Sequence, residues 1–496
     1  MSAVLIAVMV VPLAGALAAW LSPSGPGALS TIASGTATFG LCLALVPTVA
    51  GHQGTGAVAA LGGWLRVDAL SMVFLIATAF LYALTAVFAV GYVAADRSAG
   101  ALYRRRLYAG INLFAWAMVV APLMDNLGLL WVAIEVTTVV SALLVAIEGT
   151  DGAIEASWKY ILIASLGLGL SLLATAVIYH AGSYSLGHGY DLSYSQLLNA
   201  GPHYPTGTVR LAYLLAVLGF GTKVGLFPVH TWLPDAHSEA PTPVSALLSG
   251  SLLATSLYAI LRYYQVAGRV GAGAFARDVL GGFGVATLLL GAVYLASQRD
   301  LKRLLAYSSI EHMGIVAIGV SFASPLALTG ALLHVLAHAA AKGTSFFGAG
   351  SIVRKLHTKD LERIRGGVGL LPWSGPMLVG GMLGLSALPP FGTFRSELSI
   401  VAGGLSGGAR ANTAEEAVAA ALVVLTTLGF LGLSWHLTQG LLSPGRPGPG
   451  ERGEPSKLMV VAMALGLVGL VVLGVHPPAQ LSGLLHGAAA ELGGAR

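Results

Sequence analysis

The sequence predicts an all-α, polytopic membrane protein of about fourteen spans, and three observations carry that expectation. Hydrophobic residues fill 56% of the 496 positions and charged residues 9%, where soluble domains carry roughly 25% charged. The apolar residues come in more than a dozen runs of about 20, the length that crosses a hydrocarbon core. Lysines and arginines gather in the short connections between runs, which is the pattern of charge-biased topology and not of a nucleic-acid surface. The net charge of +5 therefore implies no nucleic-acid partner. The one cysteine, Cys42, excludes an intrachain disulfide and any iron–sulfur cluster held by several cysteines.

Taken in order, spans are expected at 2–21, 28–50, 69–93, 108–124, 127–147, 158–180, 210–240, 243–266, 277–297, 303–323, 326–353, 373–405, 415–441 and 458–475. The first has no basic stretch before it and reads as a retained helix. The fifth, LGLLWVAIEVTTVVSALLVAI, holds Glu135 with apolar residues for about eight positions on either side. A lone carboxylate at that depth is a protonatable relay or half of an ion pair. In the sixth, Gly167 and Gly169 are packing glycines; no nucleotide-binding fingerprint follows a strand anywhere in the chain.

The seventh span is the stretch around which the chain is organised. Lys223 lies deep in an apolar run, Pro228 follows, and the chain then turns polar with His230, Asp235, His237 and Glu239. Proline removes an amide donor, so carbonyls near Lys223 must find other partners, and a broken helix is expected. A lysine at mid-bilayer costs roughly 2.5–3.5 kcal/mol on insertion scales and normally faces a bundle interior or wet cavity. The eighth span offers only Ser249, Ser251, Thr255 and Ser256 as polar groups at depth.

The tenth span holds Glu311 and His312. The eleventh holds His334, His338 and Lys342 at intervals of four, stacked on one face over about 12 Å. Imidazoles titrate near neutrality and pass protons through either nitrogen, which suits a relay. Two histidines one turn apart can also take zinc, but no third ligand is adjacent in sequence and Lys342 repels a cation. No metal is expected. The twelfth span is broken by Pro389, Pro390 and Gly392, with Arg395 and Glu397 beyond the break.

Breaks in spans 7 and 12, with Glu135 and Glu311 in spans 5 and 10, divide one transmembrane domain, 1–496, into five-helix units at 108–266 and 277–441. An odd helix number inverts the second unit, and broken helices at matching positions of inverted halves point to a transport site. Summed by side, sixteen basic residues fall on one face and seven on the other; Lys223, Lys342 and Arg395 fall within spans. The basic-rich face is expected to be cytoplasmic, with both termini outside. The external connection 181–209 is expected to fold as a small hairpin, and its His180, His188 and His203 read as solvated. The segment 443–457 is a Pro- and Gly-rich cytoplasmic linker.

Several stretches together resemble a known family: WLRVDALSMVFL at 64–75, PVHTWLPDAHSEAPTPVSALLSG at 228–250, QRDLKRLLAYSSIEHMG at 298–314, HVLAHAAAKGTSFFGAGSI at 334–352 and LPPFGTFRSE at 388–397. The chain resembles the antiporter-like proton-translocating membrane subunits of respiratory complex I, of energy-converting hydrogenases with formate hydrogenlyase, and of multisubunit sodium/proton antiporters. The resemblance is closest to the large membrane subunit of hydrogenase-four-type complexes, without the long lateral helix of the distal complex I subunit.

The resemblance implies a hydrophilic axis of Glu135, Lys223, Lys342 with His334 and His338, and Glu397; His230, Glu311 and His312 extend the proton path. Glu135 is expected to pair with Lys223, worth about 4 kcal/mol at 4 Å and an effective dielectric near 20. The subunit would bind no cofactor and would not be catalytic alone. Its implied partners are other membrane subunits of a redox complex, the lipid bilayer of the cell membrane and, indirectly, peripheral electron-transfer subunits. A sodium/proton antiporter subunit and a subunit of an ion-coupled inorganic-carbon uptake complex are the alternatives. The lack of a lysine or histidine in span 8 departs from many complex I relatives, so the link there falls to hydroxyls and water.

Overall fold

In a computed structural model the chain is helical nearly throughout, as the composition requires. The structure describes residues 1–51, 57–96, 98–199, 204–406, 413–443 and 452–493. The helices are α1 (Ser2–Leu21), α2 (Ser24–Gly51), α3 (Ala69–Ala94), α4 (Ala101–Val120), α5 (Leu127–Val145), α6 (Asp151–Leu186) and the short α7 (Tyr194–Asn199). There follow α8 (Thr206–Val224), α9 (Trp232–Glu239), α10 (Thr242–Leu247), α11 (Leu253–Arg269), α12 (Gly273–Leu295), α13 (Leu301–Ser321) and α14 (Pro325–Leu356). The chain closes with α15 (Ser374–Leu385), α16 (Gly392–Leu405), α17 (Thr413–His436), α18 (Lys457–Val475) and α19 (Ala479–Gly493).

Among the described residues, 13 helices are long and apolar enough to cross a membrane. The α15–α16 pair supplies the broken span that the proline cluster foretells. The segment Thr242–Arg269, which joins α10 and α11 through a π turn at Leu248–Leu252, is buried along its whole apolar window. It packs against α3, α8, α12 and α14, so its hydroxyls face protein and not lipid. The outward rows are greasy instead: Leu162 and Leu166 on α6 are 66% and 73% exposed.

Both breaks form where proline removes a donor, and side chains take over the freed groups. Gly225 ends α8 in the left-handed region, at φ 83°. The indole of Trp232 donates to Thr222 O (2.8 Å), and Phe227 N–H donates to Thr287 Oγ1 (3.0 Å). At the second break, Thr393 Oγ1 donates to Gly384 O.

Three local expectations change. Among the described residues the connection after α6 forms no hairpin: α6 runs on to Leu186, and α7 is pinned to the start of α5 by Tyr194 N–H to Asp125 O (2.7 Å). A hairpin lies instead between α2 and α3, where β1 (Val58–Ala60) pairs antiparallel with β2 (Leu65–Val67) and Val58 faces Val67. Its strands are three residues long, too short for an alternation to register. A further helix, α19, follows the last span and packs on α2, α3 and α14. His203 and most of the 443–457 linker lie outside the described residues.

The two ends of α3 mark two polar layers about 39 Å apart. At its start, Arg262 is 1% exposed and donates to Asp68 Oδ1 (2.6 Å), Ser71 Oγ (2.7 Å), Tyr258 OH (2.9 Å) and Gln265 Oε1 (2.8 Å). Glu491 of α19 accepts from the N–H groups of Ala69 and Leu70, both at 3.1 Å. At the other end Arg354 pairs with Asp96 (2.7 Å). Asp235 holds both Lys159 (3.2 Å) and Arg303 (2.6 Å), and Lys359 reaches Glu239 (2.7 Å) and Asp300 (3.4 Å). Lys159, Arg303, Arg354 and Lys359 all belong to the face expected to be cytoplasmic.

Candidate functional site: a buried polar file

Lys223 and Lys342 are completely buried, and the fold treats them alike. The Lys223 ammonium donates to Ile134 O (2.9 Å) and to the Thr138 hydroxyl of α5. The Lys342 ammonium donates to Leu305 O (2.8 Å) and to the Ser308 hydroxyl of α13. Each lysine is thus lodged on one main-chain carbonyl and one hydroxyl of a neighbouring helix. An ammonium has three donors, so each retains one N–H beyond those bonds for a further acceptor.

Glu135 does not form the expected ion pair. No carboxylate lies within ion-pair distance of Lys223 among the described residues; Glu135 is half-buried on α5 and its Oε2 has no hydrogen-bond partner. The cause is helical geometry. Lys223 approaches the face carrying Ile134 and Thr138, and the next residue is rotated by 100° around the helix.

The broken segment after α8 also buries a residue absent from the candidate set, His237. It is fully buried, its Nδ1 donates to Leu233 O (2.7 Å), and its Nε2 has no partner. Its ring lies between those of Trp232 and Phe346, each centroid 6.1 Å away, within electrostatic reach of Lys342. The signal was available: His237 follows Pro228 on the same broken segment. On the sequence it looked like one more polar residue of an exit turn. His230, from the same stretch, is 8% exposed, stacks on Phe227 and leaves Nδ1 unpaired.

Beyond Lys342 the polar groups become continuous. Ser249 Oγ and Ser309 Oγ are 2.7 Å apart, and Ser309 donates to Leu305 O, the carbonyl that holds Lys342. Ser249 O accepts from His338 Nε2 (3.3 Å). The π turn places Ser249 there, so the hydroxyl link expected of span 8 exists. His338 and His334 each face His312 of α13, with ring centroids 5.0 Å apart. His312 Nδ1 lies 2.8 Å from His334 Nε2, and His334 Nδ1 lies 2.9 Å from Ser396 Oγ on α16. Glu397 is the next residue, half-buried.

Glu311 is 5% exposed, and its carboxylate presses on Gly429 of α17 so closely that a Cβ there would lie 1.8 Å from Oε1. It therefore sits against α17, on a face of α13 other than the one from which His312 meets His334 and His338. Sequence reasoning placed Glu311 and His312 together; the structure gives them different faces.

Residues 124–423 match the family model described as NADH:quinone oxidoreductase/Mrp antiporter, TM. The chain is 36% identical over 426 residues to the hydrogenase-4 component F homolog of Methylacidiphilum infernorum (isolate V4), covering 85% of this chain and 87% of that protein. It is 32% identical over 346 residues to hydrogenase-4 component B of Escherichia coli (strain K12), where it spans 50% of the relative's length. NADH-quinone oxidoreductase subunit N of Desulforudis audaxviator is 31% identical over 373 residues, 72% of this chain and 71% of that one. In fold, a chain of the Mrp complex from Dietzia sp. DQ12-45-1b superposes with a TM-score of 0.84 at 23% identity, covering 99% and 97% of the two chains. A chain of respiratory complex I from Thermus thermophilus gives 0.81 at 22% identity, covering 98% and 99%. With the matched segment spanning every helix of the polar file, this chain belongs to the NADH:quinone oxidoreductase/Mrp antiporter family of transmembrane subunits.

Proposed function

We propose that the chain is the proton-translocating membrane subunit of a multisubunit redox complex of the complex I or hydrogenase-4 type, in the cell membrane. The observation that carries this reading is the pair of buried lysines together with the buried polar run from Lys342 past Ser309, Ser249, His338, His312 and His334 to Ser396, with half-buried Glu397 next in sequence and buried His237 on the broken segment after Lys223. Nothing in it resembles a redox or acyl-transfer centre, and every member can hold or hand on a proton. Glu135, half-buried at the far side of Lys223, is where a charge arriving from a neighbouring subunit would be felt. Glu397 is the acceptor at the opposite end. The two broken helices belong to inverted units, 108–266 and 277–441, and both termini face outward.

Partner subunits are indicated by Arg395. It is exposed on α16, ten residues before Leu405, so it lies about 15 Å from the helix end and close to mid-bilayer. No ion pair or hydrogen bond reaches its guanidinium among the described residues. Such a charge is not left in hydrocarbon. Another membrane subunit that presents a carboxylate or carbonyls at that depth covers it.

The test is Lys223→Arg in the assembled complex. Arginine can keep both acceptors on α5 but does not deprotonate in proteins. Assembly should persist while redox-driven proton translocation stops. Translocation near the wild-type rate would leave Lys223 a structural charge only. Repeating the wild-type measurement with and without millimolar sodium separates proton pumping from sodium-coupled antiport.

A further inference from the structure

We infer that His312, His334 and His338 form a binding site for a divalent transition-metal ion of the zinc, cobalt or nickel class. On the sequence, His334 and His338 are two ligands in search of a third. Packing supplies it from another helix: α13 inserts His312 against both, and one ring nitrogen from each of the three residues lies within 4.8 Å of the others. All three side chains are at most 1% exposed.

The hydrogen bonds around the triad orient the rings. Ser396 Oγ donates its proton to Thr393 O (2.8 Å), so it must accept from His334 Nδ1–H, and His334 Nε2 is left with a lone pair. His338 Nε2–H donates to Ser249 O, so His338 Nδ1 also carries a lone pair. That nitrogen has no partner among the described residues. Two of the three rings are therefore held from outside by oxygen acceptors, which is how metal-binding histidines are oriented by the groups behind them. A hydrogen-bonded relay accounts for the 2.8 Å contact between His312 and His334. It leaves His338 Nδ1 unexplained, whereas a metal centred on the triad gives that nitrogen a partner.

An all-imidazole donor set selects the metal class. Imidazole suits zinc, copper, nickel and cobalt; magnesium, calcium and sodium take oxygen. Tetrahedral zinc at 2.0–2.1 Å from nitrogen sets ligand atoms about 3.3 Å apart. The rings thus need to draw in by roughly 1.5 Å at most, a matter of side-chain rotation, with the fourth position open to water. The groups facing the triad are Lys342, one turn beyond His338, the main-chain groups of Ser249 and Leu385, and the Ser396 hydroxyl. Lys342 is the one opposing charge, and its ammonium is drawn toward Leu305 O and Ser308.

The experiment is metal binding to the purified full chain, which requires no turnover. Titration with Co²⁺ should give one bound ion per chain with the intense visible absorption of a tetrahedral site. X-ray absorption of the zinc form should show three imidazoles at about 2.0 Å. His312→Gln should abolish the cobalt spectrum. Lys342→Met keeps all three ligands, removes the like charge and should tighten binding about ten-fold. An oxygen-dominated octahedral shell in the wild-type protein overturns the site, as does a cobalt spectrum unchanged in His312→Gln, which would belong to surface histidines such as His180 or His188. Should His312→Gln fail to fold, unchanged affinity in Lys342→Met is equally decisive against it. If the metal binds as described but leaves proton translocation by the assembled complex intact, the proton path proposed above fails and the site stands.

Discussion

At the scale of single residues, the file makes sharp demands that substitution can check. Lys342→Arg should impair translocation less than Lys223→Arg, because His338 lies one turn away and offers another carrier. Glu135→Gln removes a charge without breaking a hydrogen bond, since Oε2 has no partner. Stability should therefore change by less than about 0.5 kcal/mol, while translocation by the assembled complex falls sharply. Near-normal pumping would exclude Glu135 from the path. Gly429→Ala probes Glu311 without touching it: the new methyl and Oε1 cannot coexist 1.8 Å apart, so the carboxylate is pushed off its seat. Overpacking of this kind costs about 1–3 kcal/mol, and a thermal shift alongside a pumping assay would register both effects. Lys223 and Lys342 were legible in the sequence because a charge in an apolar run violates composition. What holds them was not legible, since Ile134 O and Leu305 O are main-chain atoms that carry no sequence signal.

At the scale of elements, the spans announced themselves through length and apolarity, and the breaks through proline. The register of one helix against another did not. That is why the Glu135–Lys223 ion pair was expected and a carbonyl–hydroxyl seat was found, and why His237, visible as a polar residue after the break, had no place in the expected proton path. The break after α8 depends on Trp232, whose indole satisfies Thr222 O. Trp232→Phe leaves a buried carbonyl unpaired at a cost of about 1–3 kcal/mol; hydrogen exchange in α8 and α9 should rise while distant helices stay protected. The docking of α19 should depend on pH. Burial, then the neighbouring Asp68 charge, push the Glu491 carboxyl from 4.5 up to about 7. Burial alone would also raise Asp68, but the Arg262 guanidinium and its hydrogen bonds hold it well below the usual carboxylate range. A raised carboxyl takes up a proton on folding, so its contribution is fully present below about pH 4.5 and is lost as pH rises to about 7. Protection of α19 amides should fall across that window, and Glu491→Gln should flatten the profile.

For the whole molecule, the two polar layers at the ends of α3 separate the charges of its two faces. The lysines and arginines assigned to one side by counting meet the carboxylates of that side in space, around Asp235, Glu239 and Asp300. Cysteines introduced at Ser98 and Ser195 should therefore label from opposite faces of the membrane, with Ser98 reached from the cytoplasm. Labelling from one face would undo the span assignment.

The complete burial of residues 242–268 bears on how the protein is made. A segment carrying Ser249, Ser251, Thr255, Tyr258 and Arg262 finds no lipid-facing side, and Ser249, Ser251 and Arg262 find partners on helices that lie on either side of it in the chain. During synthesis α3 and α8 emerge before it, but α13 and α14, which supply Ser309 and His338, emerge after it. The segment must wait at the insertion machinery, or at the rim of a half-built bundle, until those later helices arrive. A nascent chain arrested after Arg269 should crosslink to the translocon through Thr255, and one arrested after Leu356 should have released it.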